Sequence, residues 1–268
     1  MKGGLLQLSA FQVASIRIIS AAIVLLPVAI KGFKLIPKNR LFPVIMSGVL
    51  GSLLPAYLFC VAEQTVSSAL AGVLNSLTPI FVIIIGGLFF HSTTSTNKVI
   101  GVIIAFTGSV LLFLNQPGFS ENSNSFNIML IVVATVFYGI NVNMVGKHLS
   151  DIPSLNIVAV AMNFSAIPAF IVLLLTGFFS KDLGNREVLF SIGYSSILGV
   201  FGTTVASTLF YMLIKRAGAV FSSMVTYGIP FVAIMWGIIF GEKIGTKEIL
   251  CLMLILAGVF IANRKKAG

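Results

Sequence analysis

Acidic residues are nearly absent from this chain: Asp and Glu together number 7 among 268 residues. Charged residues of both signs make up 9%, where a soluble domain carries about 25%. Too little polar surface remains to cover a water-soluble globule, and the composition is far too apolar for disorder. A soluble enzyme, a disordered segment and a nucleic-acid module are excluded on that ground. Cysteine is also scarce. Cys60 and Cys251 lie inside apolar runs without CxxC or Cys/His spacing, so they read as small buried residues and no metal site is expected.

Catalytic and nucleotide-binding motifs are missing as well. The chain has no GxxxxGK[ST] loop to cradle phosphates; GINVNMVGK at 139–147 has the wrong spacing and sits in an apolar run. HExxH and GxSG do not occur, Asp151 and Asp182 fall in connections, and His91 and His148 fall at the ends of apolar runs. No cofactor is implied by any of these residues.

What is present is apolar: 57% hydrophobic residues, with 23 Phe and 25 Gly. A helix needs about 20 residues to cross the hydrocarbon of a bilayer. Charge-poor runs of that order occur at 9–30, 42–62, 67–90, 97–114, 126–146, 155–178, 188–213, 217–240 and 247–263. The expected fold is therefore an all-α integral membrane bundle of nine transmembrane helices, placed in the cell membrane. The connections KGFKLIPKNR at 31–40, NQPGFSENSNS at 115–125 and FFSKDLGNRE at 178–187 carry the turn chemistry.

The net charge of +10 belongs to these connections and acts as a topology determinant, with no nucleic-acid partner implied. One side receives Lys31, Lys34, Lys38, Arg40, Lys98, Lys147, Lys215, Arg216, Arg264, Lys265 and Lys266. The other receives Lys2, Lys181, Arg186, Lys243 and Lys247. Eleven against five puts the 31–40 connection and the C-terminus in the cytoplasm, and nine spans then put the N-terminus outside.

The chain also repeats itself. A shift of 151 residues superimposes Gly48 on Gly199, Gly51 on Gly202, Phe59 on Phe210, Pro79 on Pro230 and Gly86 on Gly237. A shift of 150 matches Gly108 with Gly258. The last three spans thus copy 42–62, 67–90 and 97–114, and 155–178 copies 9–30, while 126–146 has no partner. An odd number of spans per copy gives two inverted repeats, at 1–115 and 126–263, the architecture of secondary transporters with a site near the bilayer midplane.

At this point a family resemblance becomes specific. KRAGAVFSSMVTYGIPFVAIMWGIIFGEKIGTKEILCLMLILAGVFIANRKK at 215–266 resembles the last two helices of the EamA family of the drug/metabolite transporter superfamily. AYLFCVAEQTVSSALAGVLNSLTPIFVIIIGG at 56–87 resembles the matching stretch of its first half. SAFQVASIRIISAAIVLLP at 9–27 resembles its second helix, with Arg17 in the usual arginine place. The family's Gly-Glu pair stands as Gly241-Glu242, but the first copy has Phe90-His91. Family members usually have ten helices, so the resemblance implies an incomplete 5+5 bundle lacking the first. It also implies a permease exporting small polar metabolites such as amino acids by alternating access. A transport-incompetent truncated relative and a membrane enzyme without a recognisable motif stand as alternatives.

Candidate site residues follow from the cost of polar groups in hydrocarbon. Arg17 lies about eight residues into its helix, ~12 Å from the end, and either snorkels or anchors an anionic group. Among neutral groups, Tyr57, Asn75, Asn141, Thr226 and Tyr227 are the candidates for substrate contact, the alternative being helix–helix bonding. Asn75 and Thr226 share one repeat position, and Pro79 and Pro230 each free the carbonyl one turn earlier, kinking the helix. The expected partners are a small-molecule substrate and the lipid bilayer.

Overall fold

The computed structural model describes residues 4–114, 125–229, 231–232 and 245–264. Among these, eight helices are long and apolar enough to cross a membrane. Helix α1, Ala10–Leu35, opens on a capping box in which Ser9 and Gln12 satisfy each other's backbone N–H. It runs past the expected end at residue 30, because Lys31, Lys34 and Leu35 are good helix formers, Gly32 is kept in the helix by its packing on Asn156, and the next proline is Pro37. Ile36, which precedes that proline, is extended, and α2 starts at Lys38. The 31–40 segment is therefore a tight turn between two helices rather than a ten-residue loop.

Helix α2, Lys38–Ala62, contains a π-helical turn at Val49–Leu53. The expected single helix at 67–90 is two pieces, α3 at Ser68–Asn75 and α4 at Thr78–Phe90. Helices α5 (Thr96–Leu114), α6 (Ser125–His148) and α7 (Ser154–Leu175) follow. Helix α8, Arg186–Ala217, carries a second π-helical segment at Leu198–Val205, and α9 is Ala219–Ser223. Helix α10 is Thr246–Asn263. The expected span at 217–240 begins with α9 and a 3-10 turn at Met224–Gly228, and most of the rest, with Pro230 and Trp236, lies outside the described residues.

The chain divides into two compact units. The first comprises Met1–Gln64 and Met144–Arg216, and the second Thr65–Asn143 and Ala217–Gly268. Each unit mixes pieces of both halves of the sequence, and each has a pseudo-two-fold core.

In the first unit, α1 packs along α7. Gly32 lies against Asn156, and the Asn163 amide donates to the Ala22 carbonyl at 3.2 Å, so the two helices run antiparallel. A Cβ on Gly48 of α2 would strike the Ala161 carbonyl and the Ser165 hydroxyl of α7. A Cβ on Gly199 of α8 would strike the Arg17 carbonyl and the Ser20 hydroxyl of α1. Arg17 and Ala161 are as far apart in sequence as the first residues of their helices, Ala10 and Ser154. Exchange of the two copies therefore converts one contact into the other.

The second unit repeats the arrangement with α5 and α10. Gly101 meets Gly258 and Ala262, whereas Gly108 meets Ile255 and Cys251, again antiparallel. The shift of 150 turns Gly101 into Cys251 and Gly108 into Gly258, so this contact is also its own image. Equivalent helices running antiparallel are what opposite membrane orientation of two copies requires. Small residues dominate both seams because no hydrophobic force drives helices together in lipid, and close backbone approach must supply the attraction.

Candidate functional site

The two broken helices occupy the second unit. At the first break the Ser76 N–H is shared between the Gly72 and Val73 carbonyls, and the Leu77 N–H bonds backward over three residues to Leu74, tightening the last turn out of the α pattern. Pro79 lacks the N–H that would have taken the Asn75 carbonyl. That carbonyl instead accepts the Thr78 hydroxyl at 2.7 Å, and the same hydroxyl lies 3.4 Å from the Asn75 side-chain oxygen. The Ser76 hydroxyl turns back onto the Val73 carbonyl. The break is thus lined by short polar side chains, of which the Ser76 and Thr78 hydroxyls are satisfied locally.

The second break repeats this chemistry. The Thr226 hydroxyl donates to the Ser223 carbonyl at 3.0 Å, and the Ser223 hydroxyl to the Val220 carbonyl at 2.8 Å. Gly72 of the first broken helix lies against Ile229 of the second. Asn75 and Thr226 are both half-buried. Tyr227 is fully buried, and its hydroxyl donates to the Val102 carbonyl of α5 at 3.0 Å, within a cluster of Met224, Cys251 and Ile255. It braces the break against the α5–α10 seam.

Helix α6 supplies the remaining candidate. Gly139 packs on Phe81, and Asn143 fills the space over Gly86 while donating to the Val82 carbonyl at 2.9 Å. These two residues, four apart, define the face toward α4. Asn141 stands on the other side of α6 and is only 3% exposed.

Tyr57 and Arg17 belong to the first unit. The Tyr57 and Ser15 hydroxyls share a hydrogen bond of 2.7 Å, and the Arg17 guanidinium reaches the Cys60 thiol. Arg17 thus turns inward to α2 rather than snorkelling along its own helix. Two further hydroxyls of this unit are buried without a partner among the described residues: that of Thr204, one of the neutral polar groups the spans offer as candidates, and that of Ser165, which sequence reasoning missed. No pattern singles out Ser165, since serine is ordinary in membrane helices, and the π-helical turn at 198–205 sets Thr204 apart from the other candidates.

Antiparallel seams between repeat-equivalent helices, and helices broken at repeat-equivalent positions, define an inverted-repeat helical membrane carrier. Over residues 1–114 and 125–264 the sequence matches the EamA-like transporter family, and the chain belongs to that family. Named relatives agree. An uncharacterized transporter of Archaeoglobus fulgidus is 29% identical over 97% of this chain and 90% of its own length. The uncharacterized inner membrane transporter YedA of Escherichia coli is 25% identical over 94% of this chain and 81% of its own. The uncharacterized transporter YetK of Bacillus subtilis is 23% identical, covering 96% and 79%. A crystal structure of a protein 14% identical superposes with a TM-score of 0.73 over 98% of this chain and 90% of that one, which concerns the fold alone. The protein is a multi-pass transporter-family protein of the cell membrane.

Proposed function

We propose that this chain is a secondary transporter that exports small polar metabolites, amino acids among them, by alternating access, and that it has no enzymatic activity. The two copies would be residues 1–115 and 126–263; Asn75, Asn141, Thr226 and Tyr227 would line a substrate path in the second unit, and Tyr57 and Arg17 would contact substrate in the first. Pro79 and Pro230 would act as the kinks.

The observation that carries the reading is the pair of breaks at Asn75–Leu77 and Met224–Gly228, related by the repeat and packed in one unit. Helix breaks at membrane depth survive only where they are buried or line a cavity, and transporters use them to hold substrate. Here each break has hydroxyls that can accept a hydrogen bond from a ligand while still donating to a backbone carbonyl, so no buried group is left unsatisfied.

Counterflow in proteoliposomes tests this. Preloaded amino acids should accelerate uptake of labelled amino acid, and Asn75→Ala should raise the apparent KM. If no polar metabolite from a broad panel exchanges, the reading fails.

A further inference from the structure

We propose that one end of the first unit is a docking surface for anionic phospholipid headgroups. Helix ends converge there. Arg40, at the start of α2, donates to the His148 carbonyl at the end of α6 at 2.7 Å, and Lys215, near the end of α8, donates to the Ile152 carbonyl. Gly32, near the end of α1, lies on Asn156, and Gly146 of α6 on Ile214 of α8. These contacts gather Lys31, Lys34, Lys38, Arg40, Lys147, Lys215 and Arg216 at one end, with Asp151 the single acidic residue among them. The other end of the same unit holds Lys181 and Arg186 against Glu63, Asp182 and Glu187.

Two cations, Arg40 and Lys215, are spent on helix-terminal carbonyls. Lys31, Lys34, Lys38 and Arg216 are exposed. Exposed apolar side chains alternate with them: Ile30, Phe33, Leu35 at 68% and Phe42 at 70%. A nucleic acid or an acidic peptide has no use for that apolar company. Cations interleaved with exposed aliphatic and aromatic groups fit a lipid, whose phosphate sits at the headgroup level while its acyl chains run beside Phe33 and Phe42. Each cation at an anionic membrane surface contributes roughly fivefold in affinity. The surface is independent of whatever the protein transports.

The test is native mass spectrometry of protein released from nanodiscs holding equal phosphatidylglycerol and phosphatidylcholine. The wild-type chain should retain phosphatidylglycerol preferentially. Lys34→Gln, Lys38→Gln and Arg216→Gln together should cut the retained ratio at least tenfold. Lys181→Gln with Arg186→Gln, at the other end, should leave it unchanged, and Lys34→Arg with Lys38→Arg should preserve it. Equal retention of both lipids by the wild type, an unchanged ratio in the triple variant, or displacement of phosphatidylglycerol by excess inorganic phosphate would each overturn the proposal.

Discussion

Gly101 and Gly258 oppose one another so closely that a Cβ built on either would collide with the other's carbonyl oxygen. Backbone against backbone leaves nothing flexible to give way. Gly101→Leu or Gly258→Leu should therefore cost about 1–3 kcal/mol of overpacking, read as a lower Tm in detergent. Gly87→Ala is the control, since nothing lies within 4 Å of its added methyl. An unchanged Tm in Gly101→Leu would contradict the seam.

Asn75 tests the substrate path. Its carbonyl is served by Thr78, so truncating the side chain leaves no buried backbone group unpaired. Asn75→Ala should keep the Tm near that of the wild type and raise the apparent KM about fivefold, the value of one neutral hydrogen bond. Unchanged transport kinetics would remove Asn75 from the path.

Tyr227→Phe deletes only the bond to Val102. Interhelical bonds of this kind in membranes contribute about 0.6–2 kcal/mol, so stability should fall modestly while KM stays put. A raised KM at unchanged stability would mean that the hydroxyl serves substrate instead of α5.

Membrane orientation is open to cysteine labelling on a Cys60→Ala, Cys251→Ala background. An impermeant maleimide added to intact cells should spare Lys34→Cys and modify Lys181→Cys. The reverse pattern would invert the assignment drawn from the basic residues.

Proton coupling through a buried carboxylate needs an acid shielded from water. Among the described residues none of the acids is buried; Glu63, which caps the end of α2, and Glu248 are half-exposed. Uphill transport in a pH gradient should accordingly survive Glu63→Gln. Its abolition would assign Glu63 the relay.

Much of this architecture was legible in the residues. The matched Gly108 and Gly258 lie on the α5–α10 seam, and the matched Gly48 and Gly199 mark where α2 and α8 close on α7 and α1, because close approach in lipid leaves a glycine signature. The aligned prolines located the breaks. The π-helical turns at Val49–Leu53 and Leu198–Val205 were not legible: an extra residue per turn changes neither hydropathy nor composition. Nor did the sequence separate Tyr227 from Thr226. Both are polar neighbours at a break, and only the packing turns Tyr227 toward α5 while Thr226 stays half-buried. The end of α1 is not legible either: Lys31 and Lys34 carry the charge of a connection, yet the long lysine stem suits a helix end at the membrane surface.

The chain passes from one unit to the other at Gln64–Thr65, Asn143–Met144 and Arg216–Ala217. During synthesis, α1 and α2 therefore enter the membrane well before α7 and α8, the helices that complete their unit. At ribosomal speeds of about 5–20 residues per second, the stretch from Leu35 to Ser154 takes on the order of ten seconds to emerge. For that interval the Gly48 notch and the α1 face opposite α7 stand open to lipid, and the nascent protein depends on its insertion machinery to keep early helices from pairing with the wrong partner.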